Sequence, residues 1–411
     1  MNDVVLPSLH ARWAGCCVFR SGLPVYAYKI SRINCVYFIC NFVLPCPLEL
    51  GLMQPTQQNH QGEQMSLTRR LLTKALAMTA IGVTAGLALP VAKARAETPV
   101  KFTLDWKFEG PAAGFLLALD KGYFKAEGLD VTIDSGNGSV EAIPRVATGA
   151  YQMGFGDINS VIKFLDEDPS QKVKAVYMVY ERPTFAVVGR KSLGVTGDPK
   201  SLEGKKLGAP PPDGAFAQWP AFKQVAGLDD SKIKIESIGF PVREPMLAKG
   251  DVDAVFGFAF SVILNLKKQG IGDDDISTIL MAEHGLNLYG NAVLINTDFA
   301  EKNPEAVKGF LKALAKGFAD SVKTPEEGVA AVLKRNETLD SAIELERLNM
   351  ANSMNIKTPY VVENGMGGVD PARLAASLET LKVSMGLKGN VKAEQVFDAT
   401  YLPAKEARML P

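Results

Sequence analysis

Short runs of β-branched and aromatic residues alternate with longer stretches of helical character along residues 100–159, VKFTLDWKFEGPAAGFLLALDKGYFKAEGLDVTIDSGNGSVEAIPRVATGAYQMGFGDIN. Residues 100–106, 129–134 and 151–155 read as strands, with loops and helices between them. This is the βαβ grammar of a parallel sheet. Ligands of an open parallel sheet sit beyond the carboxyl ends of its strands, so Asp105, Trp106, Gly156, Asp157 and Asn159 are predicted to face a pocket.

The alternation continues. Strands are predicted at 173–180, 185–189, 233–238, 252–256 and 276–281, and helices at 161–165, 216–225, 242–249 and 259–269. Residues 209–215 form a loop with three prolines, Asp213 and Gly214, stiff where proline stands and free at the glycine. From Asn303 apolar residues recur at three- and four-residue spacing behind Pro304, a helix-start signal, so residues 303–385 read as helices on the back of a first lobe.

The stretch KGYFKAEGLDV, together with the strand ending in Asp105-Trp106 and the later ATGAYQMGFGD, resembles the first lobe of solute-binding proteins of nitrate/sulfonate/taurine-type ABC importers. That group shares its fold with the thiamine-pyrimidine synthases. The resemblance runs over roughly residues 98–401 and implies an α/β fold of the two-lobed periplasmic binding protein type. Two parallel-rich sheets flanked by helices would meet at a hinge. It also implies an enzyme rival, which can be examined position by position. The synthases carry a lysine and a histidine shortly after the third strand and a cysteine-rich run near the return to the first lobe. Here Gly156, Ser160 and Leu288-Tyr289-Gly290-Asn291 stand at those positions. The histidine that pyrimidine-binding relatives carry soon after the Asp-Trp pair is replaced near Ala112.

Charge divides the chain. Formally it balances at 45 basic and 45 acidic residues, but the first 96 residues hold nine basic against three acidic, and the remainder 36 against 42. A mildly acidic body gives no basic footprint for nucleic acid. Residues 65–96 have the three parts of an export signal: Arg69, Arg70 and Lys74, an apolar run over 75–91, and Ala94-Arg95-Ala96 as a small-x-small cleavage site. Cleavage is expected after Ala96, by the general secretory or the twin-arginine route. All five cysteines precede this signal (Cys16, Cys17, Cys35, Cys40, Cys46), so residues 1–64 read as a mis-assigned extension with translation starting at Met65.

The expected mature body then has no cysteine and one histidine, His284, which stands in no nucleophile motif. Neither a Walker-type loop nor calcium-loop spacing occurs, and Asp273-Asp274-Asp275 reads as a solvated turn. Catalytic residues, metal and cofactor are therefore not expected. The ligand-binding candidates are Asp105, Trp106, Phe108, Asp157, Asn159, Glu181, Arg182, Asp213, Trp219, Phe258 and Tyr289. Aromatic faces suit flat ligands, and acidic candidates outnumber basic ones, which favours a neutral or amino-bearing heterocycle over a sulfonate or nitrate.

The expectation is an exported, periplasmic binding component of an ABC importer, a monomer with no stable membrane anchor. It would capture a small heterocyclic or aromatic metabolite between lobe 1 (97–189 and 289–411) and lobe 2 (190–288). Hinges are expected near 187–191 and 286–293, and the partners are the small-molecule ligand and the permease and ATPase subunits, with no nucleic acid. A thiamine-pyrimidine-synthase-like enzyme and the ligand-binding partner of a sensor are the alternatives.

Overall fold

The computed structural model describes residues 97–411, so the export signal and the segment ahead of it lie outside the described residues. The strands are β1 (Thr98–Thr103), β2 (Leu129–Asp134), β3 (Met153–Asp157), β4 (Val173–Met178), β5 (Phe185–Arg190), β6 (Lys206–Ala209), β7 (Lys234–Ser237), β8 (Ala254–Phe258), β9 (Ile276–Leu280) and β10 (Asn291–Asn296). They form two five-stranded sheets, ordered β2-β1-β3-β10-β4 and β7-β6-β8-β5-β9.

Both sheets follow one plan. β1 runs parallel to β2 and β3, and β6 runs parallel to β7 and β8. The fourth strand of each sheet is antiparallel to both its neighbours: β10 between β3 and β4, β5 between β8 and β9. Each of these inserted strands is the first one laid down after the chain crosses from the other sheet. The sheets are thus mixed, each with a parallel core of three strands.

This topology corrects the predicted lobe boundary and the first hinge. β5 is bonded on both edges inside the second sheet, with Phe185 opposite Phe258 and Val187 opposite Ile279. Residues 187–190 are therefore ladder, and the first crossover is the segment 179–184. The second crossover, 281–290, runs beside it: Gly290 N donates to Tyr180 O and Tyr180 N to Asn291 O, each at 2.9 Å.

Helices cover the first sheet because apolar residues fall on one stripe of each. Phe310 and Phe318 of the helix Pro304–Lys323 pack on Phe102 of β1 and Phe115 of the helix Ala113–Asp120, with ring centroids 5.1–5.3 Å apart. Burying each ring contributes about 1.5–3 kcal/mol. The two helices approach so closely that a Cβ on Gly317 would lie 2.2 Å from Gly114 O. Phe115 also meets Phe155 of β3, which carries this packing through to the cleft side of the sheet. Four of the C-terminal helices begin on proline (Pro304, Pro325, Pro359, Pro371), where the missing N–H costs no hydrogen bond. No helix among the described residues is long and apolar enough to cross a membrane.

Candidate functional site

The carboxyl ends of β1, β3 and β8 converge on one cleft between the lobes, about 600 Å³ of space that includes its opening to solvent. The first lobe contributes the loop after β1 (Asp105, Trp106, Glu109), Ser139 at the start of the helix Ser139–Ala147, and Phe115, Phe155 and Tyr180. The second contributes Asp213, Phe240, Arg243, Phe258, Phe260 and Ser261. The lobes touch across it: Trp106 and Phe240 meet edge-on at 4.5 Å, and Val140 N donates to Pro212 O at 3.4 Å. Gly138 permits that approach. Its φ is +116°, and a Cβ there would lie 2.3 Å from Pro212 O.

Asp105 is held by lobe-1 groups alone. Its Oδ2 accepts from Asn291 Nδ2 at 2.8 Å and from Ser139 Oγ at 3.3 Å, and Asn291 also donates to Ser139 Oγ. Burial pushes this carboxyl up to about 7 against the pull of those donors. Glu109 is raised by burial too, with the Arg347 guanidinium opposing. Arg347 Nη1 lies 3.5 Å from Glu109 Oε2 without donating a hydrogen bond to it. In the cleft, Glu109 Oε2 and Trp106 Nε1 are buried polar atoms that no protein group satisfies.

Across the cleft Arg243 is fully engaged. It donates to Glu244 Oε1 through Nε and Nη2, at 3.0 and 2.6 Å, and through Nη1 to Asp213 Oδ2 and Phe256 O, at 3.3 Å each. Asp213 meanwhile caps the helix Gly214–Ala217, accepting from Ala215 N and Phe216 N. Burial raises the Asp213 carboxyl, and the Arg243 charge counters part of that.

Of the predicted ligand contacts, the structure brings Asp105, Trp106, Asp213 and Phe258 to the cleft. The others are spent elsewhere. Phe108 packs against the core of the first lobe. Asp157 caps the helix Ile158–Glu167 and also accepts from Gln218 Nε2 of the second lobe; burial lifts it to about 6. Asn159 donates to Asp157 Oδ1 and Tyr289 O. Trp219 is buried against Phe222 and Phe256. Tyr289 lies under the Arg373 guanidinium at 4.1 Å, and its hydroxyl accepts from Asp370 N. Glu181 and Arg182 line a separate recess behind the crossovers, where Glu181 pairs with Arg373 and Arg182 with Glu283.

Ser139, Asn291 and Arg347 were not among the ligand-binding candidates in the sequence, and all three hold site residues in place. Ser139 and Asn291 looked like ordinary helix-start and strand residues. Arg347 stands in the long helical tail, where the Glu344–Arg347 pair at i,i+3 in an apolar helix was the available signal.

The profile of the NMT1/THI5-like family matches residues 111–328. The chain belongs to that family. Among curated NMT1/THI5-like relatives, the riboflavin-binding protein RibY of Chloroflexus aurantiacus is 23% identical over 71% of this chain and 82% of its own length. The formylaminopyrimidine-binding protein of Halalkalibacterium halodurans is 25% identical over 73% and 89%. The 4-amino-5-hydroxymethyl-2-methylpyrimidine phosphate synthase THI13 of Saccharomyces cerevisiae is 28% identical over 56% and 69%. In fold, the chain matches the periplasmic aliphatic sulphonate binding protein SsuA of Escherichia coli with a TM-score of 0.57, at 14% identity over 72% of this chain and 96% of that one. The fold is that of the two-lobed periplasmic binding proteins.

Proposed function

We propose that the protein is the extracytoplasmic binding component of an ABC importer, exported to the periplasm with its signal removed after Ala96, and that it captures a small flat heterocycle between its lobes. The observation that carries this reading is the cleft itself: aromatic walls from both lobes surround two buried polar groups, Trp106 Nε1 and the Glu109 carboxylate, whose hydrogen bonds the protein leaves incomplete and a guest can engage. A guest touching both walls binds the closed arrangement better than an open one and so shifts the population toward closure. A membrane permease would read the closed form.

The relatives named for riboflavin and formylaminopyrimidine binding support a flat, nitrogen-rich guest. The synthase relatives supply the second reading, and the residues weigh against it. Ser160, at the position of the synthase histidine, is tied to Asp157 through both its N–H and its hydroxyl. Gly156 offers no side chain, and His284 is not among the residues lining the cleft.

The test is to release whatever co-purifies with the protein by heat, identify it by mass spectrometry, and return it to the stripped protein in a calorimeter. Recovery of an unaltered heterocycle that rebinds tightly supports transport. Conversion of that compound on incubation with the protein rejects it.

A further inference from the structure

We propose that the cleft selects a positively charged guest, a flat nitrogen heterocycle that is protonated or permanently cationic; this rests on the reading of the chain as a binding protein. Five carboxyl groups are buried in or directly behind the cleft (Asp105, Glu109, Asp213, Glu244, Glu344) and only two guanidiniums, Arg243 and Arg347. These groups, Asp105 apart, form one connected network. Arg243 joins Asp213 to Glu244, Asn265 Nδ2 donates to Glu244 Oε1 at 3.3 Å, and Arg347 Nη2 donates to Asn265 Oδ1 at 3.1 Å. Arg347 in turn pairs with Glu344 and lies beside Glu109.

Neither guanidinium has charge to spare for the cleft. Arg243 is spent on Glu244, Asp213 and a carbonyl, and Arg347 on Glu344, Asn265 and the carbonyls of Phe260 and Ser261. The surplus negative charge therefore falls first on Asp105, which forms no ion pair among the described residues, and in part on Glu109, which lies 3.5 Å from the Arg347 guanidinium that Glu344 also holds.

A desolvated charge without a counter-charge is costly, and the cost is removed either by a proton or by a cation. The walls suit the second solution. Trp106 and Phe240 already carry Lys107 and Arg243 over their rings, at 5.2 and 5.3 Å, so the rings left for a guest are Tyr180, Phe258 and Phe260; an aromatic face attracts a cation within about 6 Å by about 0.5–2 kcal/mol. The one lysine of the lining, Lys107, is exposed and lies over the Trp106 ring at 5.2 Å, so an anion deeper in the cleft meets no cation that is not already paired. The helix start that faces the cleft is already used: Ser139 Oγ donates to Asp105, and Val140 N to Pro212 O.

Three flat probes of nearly one shape test the charge preference by calorimetry: 1-methylnicotinamide (cation), nicotinamide (neutral) and nicotinate (anion). The expected order of affinity is cation, then neutral, then anion, with at least about a tenfold step in Kd from cation to neutral. Nicotinate binding as tightly as 1-methylnicotinamide overturns the inference but leaves the binding-protein reading standing, whereas chemical conversion of any probe overturns that reading instead.

A second measurement needs no guest and decides the matter if none of the three probes binds. Glu109→Gln and Asp105→Asn remove the surplus charge, so each is expected to raise the Tm of the stripped protein at pH 8 by about 2 °C or more. For Asp105→Asn that gain should vanish at pH 5, well below the Asp105 value of about 7, where the native carboxyl already holds a proton. Variants that are less stable than the native protein at pH 8 overturn the inference.

Discussion

Gln218 Nε2 donates a 2.7 Å hydrogen bond to Asp157 Oδ2, and this bond joins the second lobe to the first. The other partners of Asp157, the N–H groups of Asn159 and Ser160 and their side chains, all belong to its own helix start. Gln218→Leu should therefore leave the first lobe intact and weaken closure. A hydrogen bond to a charged group is worth about 1.5–3 kcal/mol, so guest affinity should fall roughly tenfold or more. Calorimetry and the radius of gyration from solution scattering check this. Unchanged values in both would show that the bond does not hold the lobes together.

Gly138→Ala should act more severely. The left-handed φ of +116° costs an alanine on the order of 1–3 kcal/mol, and its Cβ would sit 2.3 Å from Pro212 O, on the opposite lobe. The expected outcome is a folded protein, several degrees lower in Tm, that no longer closes on its guest. Fluorescence energy transfer between dyes placed on the two lobes reads closure directly, and transfer that still rises on adding guest would refute the assignment.

Arg347 is fully buried and bonds to both lobes. Arg347→Met leaves Glu344 and Glu109 without their shared cation, and breaking a buried pair from one side costs about 3–5 kcal/mol. Urea denaturation at pH 8 should show that loss in Arg347→Met and little of it in Arg347→Lys, which keeps a cation there; an equal loss in both variants would mean that packing, not charge, is what Arg347 supplies.

Acid should stabilise the native state over part of its range. Asp105 and Asp157 are raised by burial, to about 7 and about 6, from an ordinary value of 3.8. Between the unfolded and folded values the native state holds more protons, so stability falls as pH rises from about 4 to 7. Asp120, paired with Arg335, and Asp275, whose carboxylate accepts from Ser192 and Arg190, are lowered instead and lose their contribution below pH 4. The Tm of the stripped protein should therefore peak near pH 5 and decline toward pH 8; a profile rising steadily to pH 8 would contradict the buried-carboxyl account.

The alternation of strand and helix was readable because each element repeats its own period, and eight of the ten strands came out within a few residues, while β6 and β10 were not read as strands. Partnership was not readable. Nothing in the period-two pattern of residues 185–190 says which sheet will hold them, since that depends on a crossover whose direction is decided by distant strands. At the site, the strand-end rule named Asp105 and Trp106, and both line the cleft. It misplaced Asp157, because an aspartate before a helix has a second use: Asp157 followed three residues later by Ser160 is a capping pattern, and the cap took the carboxylate. Trp219 and Tyr289 were drawn into cores by the same apolar area that recommended them as ligand walls. For Arg347 the sequence offered only the Glu344–Arg347 spacing, since its cleft-side partner, Glu109, is 238 residues earlier in the chain.

The strand β10 gives the molecule an order of assembly. It fills the gap between β3 and β4, yet it is synthesised after every other strand. Until Asn291–Asn296 emerges, both neighbours present bare edges and the first sheet stays in two pieces. Folding must wait on a long-range pairing, which is slow. A chain so arranged leaves its first sheet unlocked until residue 296 of 411 has arrived, although the second sheet, complete at Leu280, can form before then.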